Sequence, residues 1–222
     1  MVLKKIGCIH AHYSNIDYLE KAFLTSDIEF LHFVDPGLMH CLQAGNSLSR
    51  EEAQEKVREQ IAWVAKCQVD AILISCTNYI ALLEEAVLPT TVPIIKIDEP
   101  FFESICQIQE PQTIVFSNPA TVEGTMSRLY QYASAQQKLI DLEVVVVENS
   151  FNLIMNGLKE EYNQKVVDCL EQLKEKNRVI SVAQLSMVEA AKQVEDRASI
   201  GIINPLKTLK TLINNDLNKS FI

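Results

Sequence analysis

Apolar residues fall into eight short runs, separated by longer stretches in which they recur at helical spacing. The runs lie near residues 3–9, 29–34, 70–75, 92–96, 112–117, 142–147, 178–183 and 198–203. Most are too continuously apolar to be half exposed, which predicts mostly parallel strands covered by helices on both faces. Between them, helices are predicted at 50–67, 78–87, 99–107, 160–177 and 205–217. Ser49-Arg50-Glu51-Glu52 has the spacing of a capping box. Asn118-Pro119 and Asn204-Pro205 each follow a strand, and this pairing starts a helix: the amide caps it and proline suits its first turn. Residues 10–18 and 36–48 read as loops. Strands alternating with helices predict an α/β fold.

The runs also repeat. Ile6 and Ile114 stand 108 residues apart, as do Cys76 and Gln184, and Ile95 stands 107 before Ile202. A repeat of this length implies two pseudo-symmetric lobes, each a mostly parallel sheet of about four strands, with a site expected in a cleft between them. The predicted division is residues 1–98 plus 205–222 for the first lobe and 99–204 for the second.

Composition narrows the functional classes. The 222 residues suffice for a sizeable core, and 48% are hydrophobic. A net charge of −9 argues against nucleic acid bound through a broad basic face. No run approaches the roughly 18 apolar residues of a membrane span. Met1-Val2-Leu3-Lys4-Lys5 leads straight into a strand pattern without a signal-peptide cleavage site, so a cytoplasmic protein with reduced cysteines is expected. The six cysteines include no C-x-x-C pair. The six glycines form no phosphate-binding loop, so no nucleotide cofactor is expected, and no G-x-S-x-G elbow is present.

Cys76 ends a buried run and precedes a predicted helix. Ligands of open α/β sheets bind beyond the carboxyl ends of strands, and helix N–H groups there favour a thiolate. Thr77 and Asn78 could donate to a bound carboxylate. A small buried hydrophobe followed by two capping residues accounts for the same letters. His10 and His12 follow the first strand, and their spacing puts both rings on one side if the strand continues. No thiol or carboxylate stands at a helpful spacing beside them, so no metal is expected. His10 is read as an acid/base group or, equally, as a hydrogen-bonded structural histidine. Ser117, Asn118 and Thr121 sit at the matching strand end of the second lobe, where capping and carboxylate binding can coexist.

These residues carry a resemblance to the aspartate/glutamate/hydantoin racemase superfamily. Residues 70–78 (DAILISCTN) resemble its first cysteine segment, with the two polar residues after the cysteine in swapped order. Residues 92–100, Asn118-Pro119-Ala120-Thr121 and Asn204-Pro205 resemble later segments. The resemblance implies two α/β lobes, a small carboxylate or amino-acid-like substrate, no cofactor, and often a homodimer. It also implies one cysteine from each lobe at the substrate. Ala183-Gln184-Leu185-Ser186-Met187 resembles the second cysteine segment but places Gln184 at the cysteine position, with Ser186 as the candidate if the alignment slips by two. An amide cannot exchange protons near neutral pH, so one thiol would act from one face only. The expected activity is therefore a cofactor-independent isomerase or lyase using Cys76, with Gln184 orienting the substrate. The alternatives are an amino-acid racemase and a non-catalytic carboxylate-binding protein.

Overall fold

The computed structural model describes residues 3–43, 48–83 and 88–217. Part of the expected loop 36–48 and the end of the expected helix 78–87 lie outside the described residues. The chain divides into two compact units, Met1–Glu99 and Pro100–Ile222. This division keeps the last helix in the second unit, where the sequence reading joined residues 205–222 to the first.

In the first unit, β1 (Lys4–His10), β2 (Ile28–Val34), β3 (Ala71–Ile74) and β4 (Ile94–Lys96) form a sheet of order β2-β1-β3-β4. Every pairing is parallel. Its helices are α1 (Asn15–Phe23), α2 (Pro36–Gln43), α3 (Arg50–Ala65) and α4 (Thr77–Leu82). In the second unit, β5 (Gln112–Phe116), β6 (Leu142–Val146), β7 (Val179–Val182) and β8 (Ile202–Ile203) repeat the order as β6-β5-β7-β8, again all parallel. The helix α5 (Glu99–Cys106) begins at the boundary, followed by α6 (Val122–Ala135), α7 (Ser150–Met155), α8 (Lys159–Leu173), α9 (Val188–Ala198) and α10 (Pro205–Leu217). All eight expected strands are present, and no helix among the described residues is long and apolar enough to cross a membrane.

The core follows from strand alternation. In β5, Val115 packs with Val166, Leu170 and Val194 on one face, while Ile114 and Phe116 pack with Phe101, Ile105 and Leu129 on the other. Successive side chains point to opposite faces, so a central strand buried on both must be apolar throughout. In the first unit, α3 lies close over β1. A Cβ on Gly7 would stand 2.3 Å from Val64 Cγ1, so glycine is what permits the approach. The expected capping box forms: Ser49 Oγ accepts from Glu52 N, and Glu52 accepts from Ser49 N.

Two expectations are corrected. Much of residues 10–18 and 36–48 is helical, as α1 and α2. The carboxylate of Asp35 caps α2 by accepting from Gly37 N at 2.8 Å, ahead of Pro36. The repeat also contains a slip. Ile9 pairs with Ile74 in the first sheet, and Val115 with Val182 in the second. The ladders therefore match Ile9 to Val115 and His10 to Phe116, two residues short of the spacing that matches β3 to β7. The matching of Cys76 to Gln184 is unaffected, since each stands two residues beyond those paired strand ends.

Candidate active site

The strand ends of the first unit gather the polar residues. Cys76 leaves β3 in extended backbone (φ −110°, ψ 117°) as the residue before α4, and it is half-buried. Thr77 is half-buried and Asn78 exposed. The next residue, Tyr79, is buried and donates its hydroxyl to Asp35 O at 2.5 Å. Burial pushes its phenol well up, with Asp35 and Cys76 adding to the shift, so it stays protonated.

His10 is fully buried at the end of β1. Its Nδ1 lies 2.6 Å from Ser75 Oγ, and its Nε2 lies 2.9 Å from His32 Nδ1 on β2. His32 Nε2 in turn lies 2.9 Å from Glu20 Oε1 on α1. Ser75 Oγ also accepts from Asn15 Nδ2 at 3.1 Å. Burial, with help from His32, pushes His10 down from 6.5 to about 4, so the ring is neutral at physiological pH. The companion expected from sequence, His12, lies elsewhere. β1 stops at His10, and the exposed His12 ring bonds to Ser14 and packs on Tyr13.

A thiol does stand beside His10, against the sequence reading that found none at helpful spacing. Cys8 Sγ and the nearest ring nitrogens of His10 and His32 lie within 4.8 Å of one another. Donors of this type suit zinc or copper. However, two ring nitrogens on a tetrahedral zinc would stand roughly 3.3 Å apart, given bond lengths of ~2.05 Å. The observed 2.9 Å is a hydrogen bond. Cys8 is buried, and burial, followed by the Glu20 charge, pushes its thiol well up, so it is a neutral thiol here.

At the strand ends of the second unit, Gln184 is the hub. Its Oε1 accepts from Ser117 N at 2.7 Å and Ser117 Oγ at 2.8 Å, and its Nε2 donates to Thr121 Oγ1 at 2.8 Å. Tyr162 OH donates to Ser117 Oγ at 2.9 Å and shares a hydrogen bond with Ser186 Oγ at 2.7 Å. Ser117 is buried, whereas Gln184, Ser186, Asn118 and Thr121 are half-buried. Asn118 caps the turn at Pro119 by accepting from Ala120 N at 3.1 Å. Five residues chosen from sequence thus converge. Four others escaped that reading: Ser75, His32 and Glu20 in the first unit, and Tyr162 in the second. None carried a usable signal in the sequence: His32 comes opposite Cys8 only through the β1–β2 register.

The fold is shared with known enzymes. An aspartate racemase from Picrophilus torridus matches with a TM-score of 0.70 at 13% identity, covering 97% of this chain and 94% of that one. A glutamate racemase (RacE1) from Bacillus anthracis matches with 0.71 at 13%, covering 100% and 84%. A maleate isomerase from Pseudomonas putida, solved with maleate, matches with 0.63 at 12%, covering 97% and 92%. No protein-family model matches the sequence, and no curated protein does. At these identities the likeness establishes the two-unit racemase fold that the sequence resemblance implied, and function must be argued from the site.

Proposed function

We propose that this protein is a cofactor-independent isomerase or lyase of small carboxylates that uses Cys76 as its single sulfur nucleophile or acid/base group. The observation that carries the proposal is the matching of Cys76 to Gln184 through the sheet ladders, since a thiol at one strand end corresponds to an engaged amide at the other. Likeness to racemases and to a maleate isomerase supports a carboxylate substrate. In this reading Thr77, Asn78 and Asn118 hold carboxylate oxygens, and Thr121, whose hydroxyl donates to Asn118 O at 2.9 Å and accepts from Gln184, positions both. Gln184, with one amide N–H spent on Thr121, offers the other. Ser117 and Ser186 brace that segment through Tyr162.

One-sided sulfur chemistry fits cis–trans isomerisation of an unsaturated diacid. The thiolate adds to one alkene carbon, and the π pair moves toward the carboxyl group on the other. The new single bond rotates, and the electron pair returns as the C–S bond breaks, so the thiolate is regenerated. No second base is required, in contrast to racemisation at Cα.

The test is incubation with maleate, aspartate, glutamate and allantoin in D₂O, followed by NMR. Turnover of an unsaturated diacid, or cleavage of a substrate, is expected, and Cys76→Ala should slow it by roughly 10²–10⁴-fold. Inversion of aspartate or glutamate with deuterium at Cα would make the protein a racemase. Diacid binding without turnover would make it a binding protein. Either result, or full activity in Cys76→Ala, overturns the proposal.

A further inference from the structure

Four hydrogen-bonded side chains, Ser75, His10, His32 and Glu20, run from the residue beside Cys76 to the surface. A carboxylate at Glu20 can only accept, so His32 Nε2 carries the proton it shares with Glu20. A His32 that carries only this proton presents a bare Nδ1, and His10 Nε2–H then donates to it. Neutral His10 presents a bare Nδ1 in turn, and the 2.6 Å contact makes Ser75 Oγ–H its donor. Asn15 donates to the Ser75 oxygen from the other side, and the competing acceptor for the hydroxyl, Ile9 O, is farther away at 3.3 Å.

We propose that Ser75 is an activated hydroxyl of the same site as Cys76, with His10 as its base and with His32 and Glu20 as positioning residues that complete a proton relay to the surface. When a proton is delivered to Ser75 Oγ, the hydroxyl passes its own to His10 Nδ1. His10 passes its Nε2 proton to His32 Nδ1, and His32 passes its Nε2 proton to Glu20. One proton moves from site to solvent, only O–H and N–H bonds form and break, and no alkoxide persists. The role in turnover rests on the function proposed above, but the reactivity of Ser75 does not.

The burial pattern agrees with a relay. His10 is fully buried and Ser75 nearly so, the His32 side chain is 14% exposed, and that of Glu20 is 53% exposed. The inner hydroxyl therefore reaches water through the two rings. Cys8, a titratable group beside both rings, is a neutral thiol and leaves the chain undisturbed.

A small sulfonyl fluoride, methanesulfonyl fluoride, tests this without any substrate. Ser75 Oγ attacks sulfur, fluoride leaves, and the hydroxyl proton goes to His10. Mass spectrometry of the wild-type protein should find the label on Ser75, and Cys76→Ser should leave it there. Glu20→Gln should slow labelling by about tenfold or more while the melting temperature stays unchanged, which a merely structural contact would not produce. ¹⁵N NMR of the histidine rings should show protonated Nε2 and bare Nδ1 on both His10 and His32. The proposal is overturned if Ser75 is unlabelled, if Glu20→Gln labels at the wild-type rate, or if His10 carries Nδ1–H. Stoichiometric zinc that is lost in Cys8→Ser would overturn it as well. Failure of the diacid assays together with labelled Ser75 would remove the proposed reaction and leave the relay standing.

Discussion

Gln184 shows how one side chain can belong both to the fold and to the site. Its Oε1 is the acceptor for the backbone N–H of buried Ser117. Gln184→Ala strands that N–H, at a cost of about 1–3 kcal/mol. Gln184→Glu keeps both bonds from Ser117 and loses only the donor to Thr121. Urea unfolding should therefore rank the wild type first, Gln184→Glu next and Gln184→Ala last. An unperturbed Gln184→Ala midpoint would mean that the hub is decorative. The sequence marks this position only by the resembled family's cysteine; its hydrogen bonds depend on Ser117 and Thr121, which stand 67 and 63 residues away in the chain. The relay residues were invisible for the same reason. Glu20, His32 and Ser75 meet His10 through sheet pairing and helix placement, which no local spacing encodes.

Elements were more legible where a local rule is strict. Strands declared themselves as apolar runs because both faces of β3 and β5 are buried. Capping chemistry placed the starts of α3 and α10 correctly, at Ser49 and Asn204. Asp35-Pro36 carries the same signal as Asn118-Pro119, yet the region read as loop because its apolar spacing is weak. In α1 only Leu19 and Phe23 are buried. The α9 helix buries Ala190, Ala191 and Val194, too small a stripe to stand out. The least tolerant contact between elements is Gly7 under α3. Gly7→Ala drives a methyl into Val64, and overpacking of this kind costs about 1–3 kcal/mol. Val64→Ala, itself destabilising through a cavity, should recover part of that loss when combined with Gly7→Ala. A melting series of the four proteins checks it: strict additivity would show that the two groups do not meet. Ser49→Ala should cost about 1 kcal/mol through the lost capping box, seen in the same melts.

For the whole molecule, the buried imidazole of His10 makes stability fall as the pH drops below neutrality. Net charge cannot do so in this window. The chain carries −9 at neutral pH and its isoelectric point is near 5.0, so self-repulsion falls as the pH drops toward 5. His10 works the other way. Folded, it titrates near 4; unfolded, near 6.5, so between those values the unfolded chain binds more protons. The stability conferred by keeping the ring neutral is therefore complete above pH 6.5, lost progressively below it, and gone by about pH 4. The full difference is about 3 kcal/mol, since each pKa unit corresponds to ~1.4 kcal/mol. Facing groups keep that sign: Cys8 stays a neutral thiol, and a charge on His32 only adds repulsion. Glu52 and Glu143, both held below the usual carboxylate range, lose their stabilising contacts in the same direction but at lower pH. Urea unfolding between pH 7.5 and 4.5 should show stability falling as the pH drops below 6.5. His10→Gln keeps a polar partner for Ser75 and removes the titration, so its curve should be flatter by close to one proton over this range. Parallel curves for the two proteins would show that His10 titrates alike folded and unfolded, and would remove the neutral ring on which the sense of the relay depends.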